Sequence, residues 1–193
     1  MRIVDYLVIG GGIIGINMAL NLKRRHPKSS VCVIDKEPRL GMHGSGRNSG
    51  VIHAGFYYSA NSLKARFTRE GNLALKAFLR ERKVPLNECG KLVVAKDEAE
   101  LTVLDELHRR AQVNGVELHK ISAEEAREIE PRVKTFQHAL WSPQTATSDP
   151  GLVLEAFRAE AEDRGIELLM GQAFQQCRGN RVHTSTEVFE AGY

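Results

Sequence analysis

Three features of the first 35 residues predict an α/β fold. Ile3–Ile9 and Val31–Asp35 are apolar runs of strand length. Glycines 10, 11 and 12 follow the first run. They open a segment, Ile13–Arg25, in which Ile14, Met18 and Leu22 recur at helical spacing. Strand, glycine turn, helix and strand in that order make a βαβ unit, whose strands should run parallel with a right-handed crossover.

The remaining elements follow in order. Residues 38–61 are rich in Gly, Ser, Asn and His and show little helical periodicity. A loop of that length inside a compact domain is usually functional. Ser62 is placed to cap a helix running to about Lys83, ahead of Pro85. Lys91–Ala95 reads as a strand, and Asp97 caps a helix ended by Gly115. Val116–Leu118 reads as a short strand. Ser122 and Glu125 form a capping box for a short helix ending before Pro131. Ala139–Trp141 is a further strand candidate. Asp149 and Pro150 start a helix that ends at Gly165. Ile166–Met170 reads as a strand, and Val182–Phe189 has room for two more.

Composition narrows the function. With 42% hydrophobic and 26% charged residues, the 193-residue chain can bury a core. The net charge of +3 is spread without a Lys/Arg run, which argues against nucleic acid as a partner. Cys32, Cys89 and Cys177 are far apart and form no CxxC, a pattern that fits a reducing compartment rather than a disulfide framework or zinc site. His26, His108, His119, His138 and His183 show no metal-ligand spacing, and no metal is expected. The longest apolar stretch, Tyr6–Ile16, is too short and glycine-rich to span a bilayer, and it has no signal-peptide flanks. No repeat or low-complexity tract is present.

The glycine turn carries the first chemical signal. Gly10-Gly11-Gly12-Ile13-Ile14-Gly15 fits G-x-G-x-x-G between a strand and a helix. In such a Rossmann-type turn Gly10 makes the bend, Gly12 lets the backbone approach a pyrophosphate, and Gly15 lets the helix pack on the sheet. The first helical N–H groups, at Ile13 and Ile14, then face the phosphates with the positive end of the helix dipole. Asp35, followed by Lys36, lies 20 residues past Gly15, where a carboxylate takes ribose hydroxyls and disfavours a 2′-phosphate. The fingerprint alone leaves FAD and NAD open.

The next segment, His43-Gly44-Ser45-Gly46-Arg47-Asn48-Ser49-Gly50-Val51-Ile52-His53-Ala54-Gly55-Phe56-Tyr57-Tyr58, resembles a loop of the D-amino-acid-oxidase-like FAD oxidoreductases. Within them it is most similar to the L-2-hydroxyglutarate oxidase/dehydrogenase family, whose loop reads H-Q-T-G-x-N-S-G-V-I-H-x-G-x-Y-Y. Ser62-Leu63-Lys64-Ala65, Cys89-Gly90-Lys91-Leu92, Glu130-Pro131, Ser142-Pro143 and Asp149 match further blocks, so the resemblance spans the chain. The family's Gln and Thr are Gly44 and Ser45 here, its helical Cys is Thr68, and its T-G-I-V-D block reads Thr145-Ala146-Thr147-Ser148-Asp149.

The resemblance implies FAD as cofactor, held by the glycine turn together with His43, Ser45, Arg47, Asn48, Ser49, Gly50 and Val51. Ser45, Arg47 and Asn48 would donate toward the pyrophosphate and ring, Arg47 with charge assistance. Gly50 and Gly55 would let the backbone pass close to the isoalloxazine. His53 is the candidate base that takes a hydroxyl proton, with hydrogen bonding to flavin or simple packing as its alternatives. His43 would serve equally to orient the ring. Tyr57, Tyr58 and Lys64 would position a dicarboxylate, or else be ordinary packing and solvated residues.

The implied architecture is a Rossmann-type FAD-binding domain with an inserted, incomplete α+β substrate domain. Residues 1–85 form its first part, 86–143 the insertion, and 144–193 the return. The implied activity is oxidation of a 2-hydroxy acid, L-2-hydroxyglutarate, to 2-oxoglutarate by hydride transfer to flavin N5. Electrons would pass to oxygen or a quinone. The alternatives are an amine, amino-acid or glycerol-phosphate oxidase of the same superfamily, or a non-catalytic remnant or subunit. Such enzymes are about twice this length and carry a V-N-x-A-G-like block near the position of Glu190–Tyr193, so this chain is expected to be an N-terminal half. Its partner would then be a complementary C-terminal half or a second copy. The expected location is the cytoplasm, with peripheral contact at the inner membrane if the acceptor is a quinone.

Overall fold

The chain is described by a computed structural model covering residues 1–193. It divides into two compact units, 1–49 with 149–193, and 50–148.

The first unit is built around the predicted βαβ element, with one change at its start. Ile3–Ile9 is not a single strand: β1 (Arg2–Val4) and β2 (Tyr6–Ile9) belong to different sheets and are separated at Asp5. Side-chain hydrogen bonds hold this break. The Asp5 carboxylate accepts from Ser30 N at 2.7 Å and Ser30 Oγ at 2.8 Å. These bonds hold its carboxyl below the usual carboxylate value. The glycine turn then leads into α1 (Ile13–Arg25) and β3 (Val31–Asp35). β2 and β3 pair in parallel from Tyr6↔Val31 to Ile9↔Ile34.

The buried residues of α1 are Ile16 and Ala19, whereas Ile14 and Met18 are exposed. The helix is therefore rotated from the orientation its largest apolar residues suggest. Ile16 and Ala19 are the buried face, and Gly15, beside Ile16, brings the helix close to β2.

The unit continues with α5 (Pro150–Asp163), capped by the Asp149 carboxylate, and β9 (Glu167–Met170), which adds in parallel to the other edge of β3. The sheet order β2-β3-β9 leaves β3 central, and its first four residues are buried. Burial pushes the Cys32 thiol up to about 12, so it stays protonated. A second sheet, ordered β1-β12-β11-β10, contains β10 (Phe174–Arg178), β11 (Arg181–Thr184) and β12 (Val188–Ala191). Val4, Val182, Phe189 and Ala191 from this sheet pack with Cys32 and Ile34 of β3. Alternation along β3 turns Val31 and Val33 to the opposite face. β10 had no sequence signal: all five of its residues are exposed, so no apolar alternation marks it.

The second unit opens with β4 (Val51–Ile52), followed by α2 (Leu63–Glu81), whose first turn is capped by Ser62 Oγ accepting from Ala65 N. β5 (Lys91–Val94), α3 (Glu98–Asn114), β6 (His119–Ser122), α4 (Ala123–Ile129), β7 (His138–Ser142) and β8 (Ala146–Thr147) complete it. β7 is the centre of an antiparallel β5-β7-β6 sheet, and β4 pairs with β8. Leu104, Leu107 and Ala111 of α3 pack with Leu140 of β7, Ala54 and Phe56.

Val116–Leu118 is not a strand. Gly115 takes the left-handed conformation, and Val116 N donates back to Ala111 O in a helix-end motif. Val116 and Leu118 are buried there, which is why their apolar pattern resembles a strand, and pairing begins only at His119. The compact division at 49/50 and 148/149 differs from the functional bounds expected at 85/86 and 143/144. It does so because α2 is tied to β4 and to the β7–β8 turn by side-chain hydrogen bonds to Ile52 O and Gln144 O.

Candidate functional site

The candidate residues fall into one cluster in each unit. In the first unit, backbone constraint builds the glycine turn. Gly10 adopts φ 115°, a conformation that side-chain-bearing residues rarely reach, and its N–H donates to Ile34 O at 2.8 Å. A Cβ at Gly15 would lie 1.8 Å from Gly10 O, so the helix enters as close to the strand as the backbone permits.

Asp35 and Ser45 close the turn from the side. Asp35 Oδ2 accepts from Gly11 N at 2.6 Å, and its Oδ1 accepts from Glu37 N at 2.9 Å. Ser45 Oγ accepts from Ile13 N at 3.0 Å, and a Cβ on Gly12 would stand 3.0 Å from the same oxygen. Gly11 and Gly41, which sequence reading left without a role, complete the frame: Gly41 N donates to Gly11 O at 3.1 Å.

His43 and Lys36 converge on Glu37, at 2.8 Å and 3.9 Å from its Oε1. The Asn48 amide donates into its own loop, to Gly44 O at 3.1 Å and Ser45 O at 2.9 Å. Arg47 and Ser49 are exposed.

This cluster fits the ADP portion of a dinucleotide. Gly12 caps α1 without a side chain, no acid lies in the first turn, and Lys23, Arg24 and Arg25 lie in the last. No acid of the helix's own first turn therefore offsets its positive end, which suits a pyrophosphate there. Ser45 Oγ accepts from the helix N-terminus and keeps its own hydrogen to donate outward.

In the second unit, Gly50 and Val51 lead into β4, and His53 follows it with an exposed side chain. Ala54, Gly55 and Phe56 beyond it are buried. Partial desolvation, with the positive charge of Lys91 adding to it, holds His53 below the usual histidine value of 6.5. Its ring is therefore mainly neutral at pH 7.

Lys91, on β5, also stands over the Tyr57 ring at 4.7 Å, so His53, Lys91 and Tyr57 form one group. Tyr58 and Lys64 form another, with the ammonium 4.5 Å from the ring centroid. Lys91 was not among the predicted site residues. At the first position of a strand, nothing in the local pattern separates it from a solvated lysine. No group of three or more His, Cys, Asp or Glu side chains is arranged to hold a metal ion. No helix is long and apolar enough to cross a membrane.

Comparison with known proteins agrees with this geometry. Residues 5–191 match the family described as FAD dependent oxidoreductase, DAO. The chain is 39% identical over 177 residues to L-2-hydroxyglutarate dehydrogenase, mitochondrial, of Caenorhabditis elegans, covering 91% of this chain and 41% of the relative. It is 41% identical over 165 residues to L-2-hydroxyglutarate dehydrogenase of Escherichia coli K12, covering 86% of this chain and 39% of that protein.

Among solved structures, L-proline dehydrogenase from P. horikoshii superposes with a TM-score of 0.87 at 25% identity, over 99% of this chain and 51% of that one. L-α-glycerophosphate oxidase from Mycoplasma pneumoniae with FAD bound gives 0.85 at 25% identity, over 100% of this chain and 53% of that one. The chain thus spans about two fifths of these curated relatives' length. A strand, glycine turn and helix in Rossmann order and a match over 5–191 agree on one assignment: the chain belongs to the FAD-dependent oxidoreductase (DAO) family.

Proposed function

We propose that this chain forms the FAD-binding and first substrate-side portion of an oxidoreductase that converts L-2-hydroxyglutarate to 2-oxoglutarate. The observation that carries this reading is the contrast in similarity. Identity to L-2-hydroxyglutarate dehydrogenases is 36–43% over most of the chain, against 25% or less for the structurally similar proline, glycerophosphate and amino-acid enzymes.

In this reading Gly10–Gly15, Ser45 and Asp35 bind the ADP half of FAD, with Asp35 toward the ribose. When bound, FAD supplies the two-electron acceptor for the hydride that leaves the substrate Cα. His53 takes the hydroxyl proton, and its lowered pKa keeps the ring neutral and ready to do so at pH 7. Loss of one proton and one hydride leaves the 2-oxo acid. Lys91 and Lys64, each held against a tyrosine ring, supply positive charge for the two carboxylates. Gly50 and Val51 set the approach of the His53 segment. Electron delivery to oxygen or a quinone, and pairing with a complementary half or a second copy, belong to the same proposal.

The test is an anaerobic titration of the flavin-loaded protein with L-2-hydroxyglutarate, L-proline, glycine and L-α-glycerophosphate. The expected result is bleaching of the flavin absorption band by the hydroxy acid alone. Bleaching by an amino acid or the glycerophosphate, with none by L-2-hydroxyglutarate, would overturn the substrate assignment. Protein that binds FAD but is bleached by none of the four would favour a non-catalytic subunit.

A further inference from the structure

Asn72 makes contacts that helix packing alone does not require. It lies on α2 with 3% of its surface exposed, yet it is polar. Its Nδ2 donates toward three carbonyl oxygens: Ile52 O at 3.1 Å, His53 O at 3.2 Å and Gln144 O at 3.1 Å. The carboxamide thereby joins the end of β4 to the β7–β8 turn. Its Oδ1 is buried with no hydrogen-bond partner. A buried unpaired acceptor costs about 1–3 kcal/mol, which the bonds donated from Nδ2 offset, so the carboxamide is held in place by its donor side. Lys76, at the next turn of the same helix face, also donates to Gln144 O, at 3.3 Å.

We propose that Asn72 is a positioning residue for His53: its carboxamide clamps the His53 peptide against the Gln144 turn and so fixes the direction in which the imidazole leaves the backbone. The functional importance of this clamp rests on the reading of His53 as the base. An anchored carbonyl restricts the peptide plane, and the plane sets the Cα–Cβ vector. Ala54, Gly55 and Phe56, which follow His53 in the chain, are buried, so the segment is also held just beyond it. Gly55, at φ 107°, would bring a Cβ to 3.1 Å from Ala65 O of α2, which places the segment against the same helix that carries Asn72. With the clamp released, the segment end is free to swing, the ring gains water and leaves the field of Lys91, and both changes favour its protonated form.

The experiment follows the His53 ring Cε1–Hε1 resonance, assigned with His53→Gln, across a pH titration of the protein. Asn72→Ala should raise the His53 midpoint toward 6.5. Leu79→Ala, a cavity in the same helix at a fully buried residue, should leave the midpoint where it is while lowering stability. An unchanged midpoint in folded Asn72→Ala, or an equal rise in Leu79→Ala, would overturn the proposal.

A second measurement needs no variant. The Asn72 side-chain NH2 protons should exchange with solvent at least tenfold more slowly than those of an exposed asparagine, by about the margin a net hydrogen bond gives. Exchange at the exposed rate overturns the clamp. The titration makes no reference to turnover. An undiminished bleaching rate in His53→Gln would therefore remove the base role while leaving the clamp to be judged on the ring resonance.

Discussion

Around the glycine turn, backbone geometry places the chemistry. Around His53, side chains from distant parts of the chain place the backbone. In the first unit the decisive features are Gly10 at φ 115° and Gly15 packed against a carbonyl, within a segment of six residues. In the second, His53 is set by Asn72 on α2, by Lys91 on β5 and by Gln144 between β7 and β8. A site built from backbone fails all at once when a single atom is added. A site built from side chains should fail in graded steps, each with its own readout.

The largest expected effect is therefore Gly15→Ala. Its Cβ would stand 1.8 Å from Gly10 O, a clash that only a backbone shift relieves. A loss of about 3 kcal/mol is expected, corresponding to a fall of about 10 °C in the melting temperature, together with loss of bound flavin. Thermal melts and the flavin-to-protein absorbance ratio measure both. Full flavin content in Gly15→Ala would mean that the close helix approach is not what makes the site. Ser45→Ala is the milder probe of the same region. It removes the acceptor for Ile13 N and the outward donor, and should weaken FAD binding about fivefold, the equivalent of about 1 kcal/mol. A titration of apoprotein with FAD, followed by flavin fluorescence, reads the change.

The same contrast explains what could be read from sequence. The helix caps at Ser62, Asp97, Ser122 and Asp149 were legible because their partners lie two or three residues away, and the βαβ unit with its glycines and Asp35 because its elements follow one another at a fixed order and spacing. Ser45 touching Ile13 was reachable only through the family resemblance, since 32 residues separate them. Asn72 carried no signal, and Lys91 appeared only inside a matching family block with no role attached to it. An asparagine within a helix and a lysine opening a strand are ordinary residues until the fold brings His53 beside them. The two misread strands have the same origin. Asp5 divides Ile3–Ile9 through Ser30, 25 residues away, and Val116–Leu118 owes its apolar character to a helix end rather than a sheet.

A smaller and directional effect tests the His53 group. Lys91 lowers the His53 pKa, so Lys91→Met should raise it and move the acid limb of the bleaching rate to higher pH, with the plateau at high pH less affected. Rates measured at fixed substrate saturation across pH 5–8 check this, a range chosen to bracket an ordinary histidine. An acid limb that does not move would separate Lys91 from the base and leave it a substrate-binding role only.

The smallest effect is also the one that best separates the two units, because it asks what kind of partner holds a carboxylate. Glu88 accepts from Arg80 Nη2 at 2.7 and 2.6 Å and pairs with Lys76 Nζ at 2.8 Å, and these cations hold it down to about 2. Asp5 is also held low, but by the neutral N–H and hydroxyl of Ser30, with Lys23 the weakest contributor. Both pKa values are lower in the folded protein than in the unfolded chain. Both contributions to stability are therefore complete above the ordinary carboxylate value and are lost as pH falls through the folded value. For Glu88 that window runs from 4.5 to about 2. The melting temperatures of wild type and Glu88→Gln should differ at pH 7 and converge across this window, and the same holds for Asp5→Asn at the low end. Salt then distinguishes them. Ion pairs at partly exposed groups are screened, whereas hydrogen bonds from neutral donors are nearly indifferent to ionic strength. Raising salt to 1 M should shrink the Glu88 difference and leave the Asp5 difference in place. If both differences shrink together, charge rather than neutral hydrogen bonding organises the Asp5 break, and Asp5 and Glu88 are held in the same way.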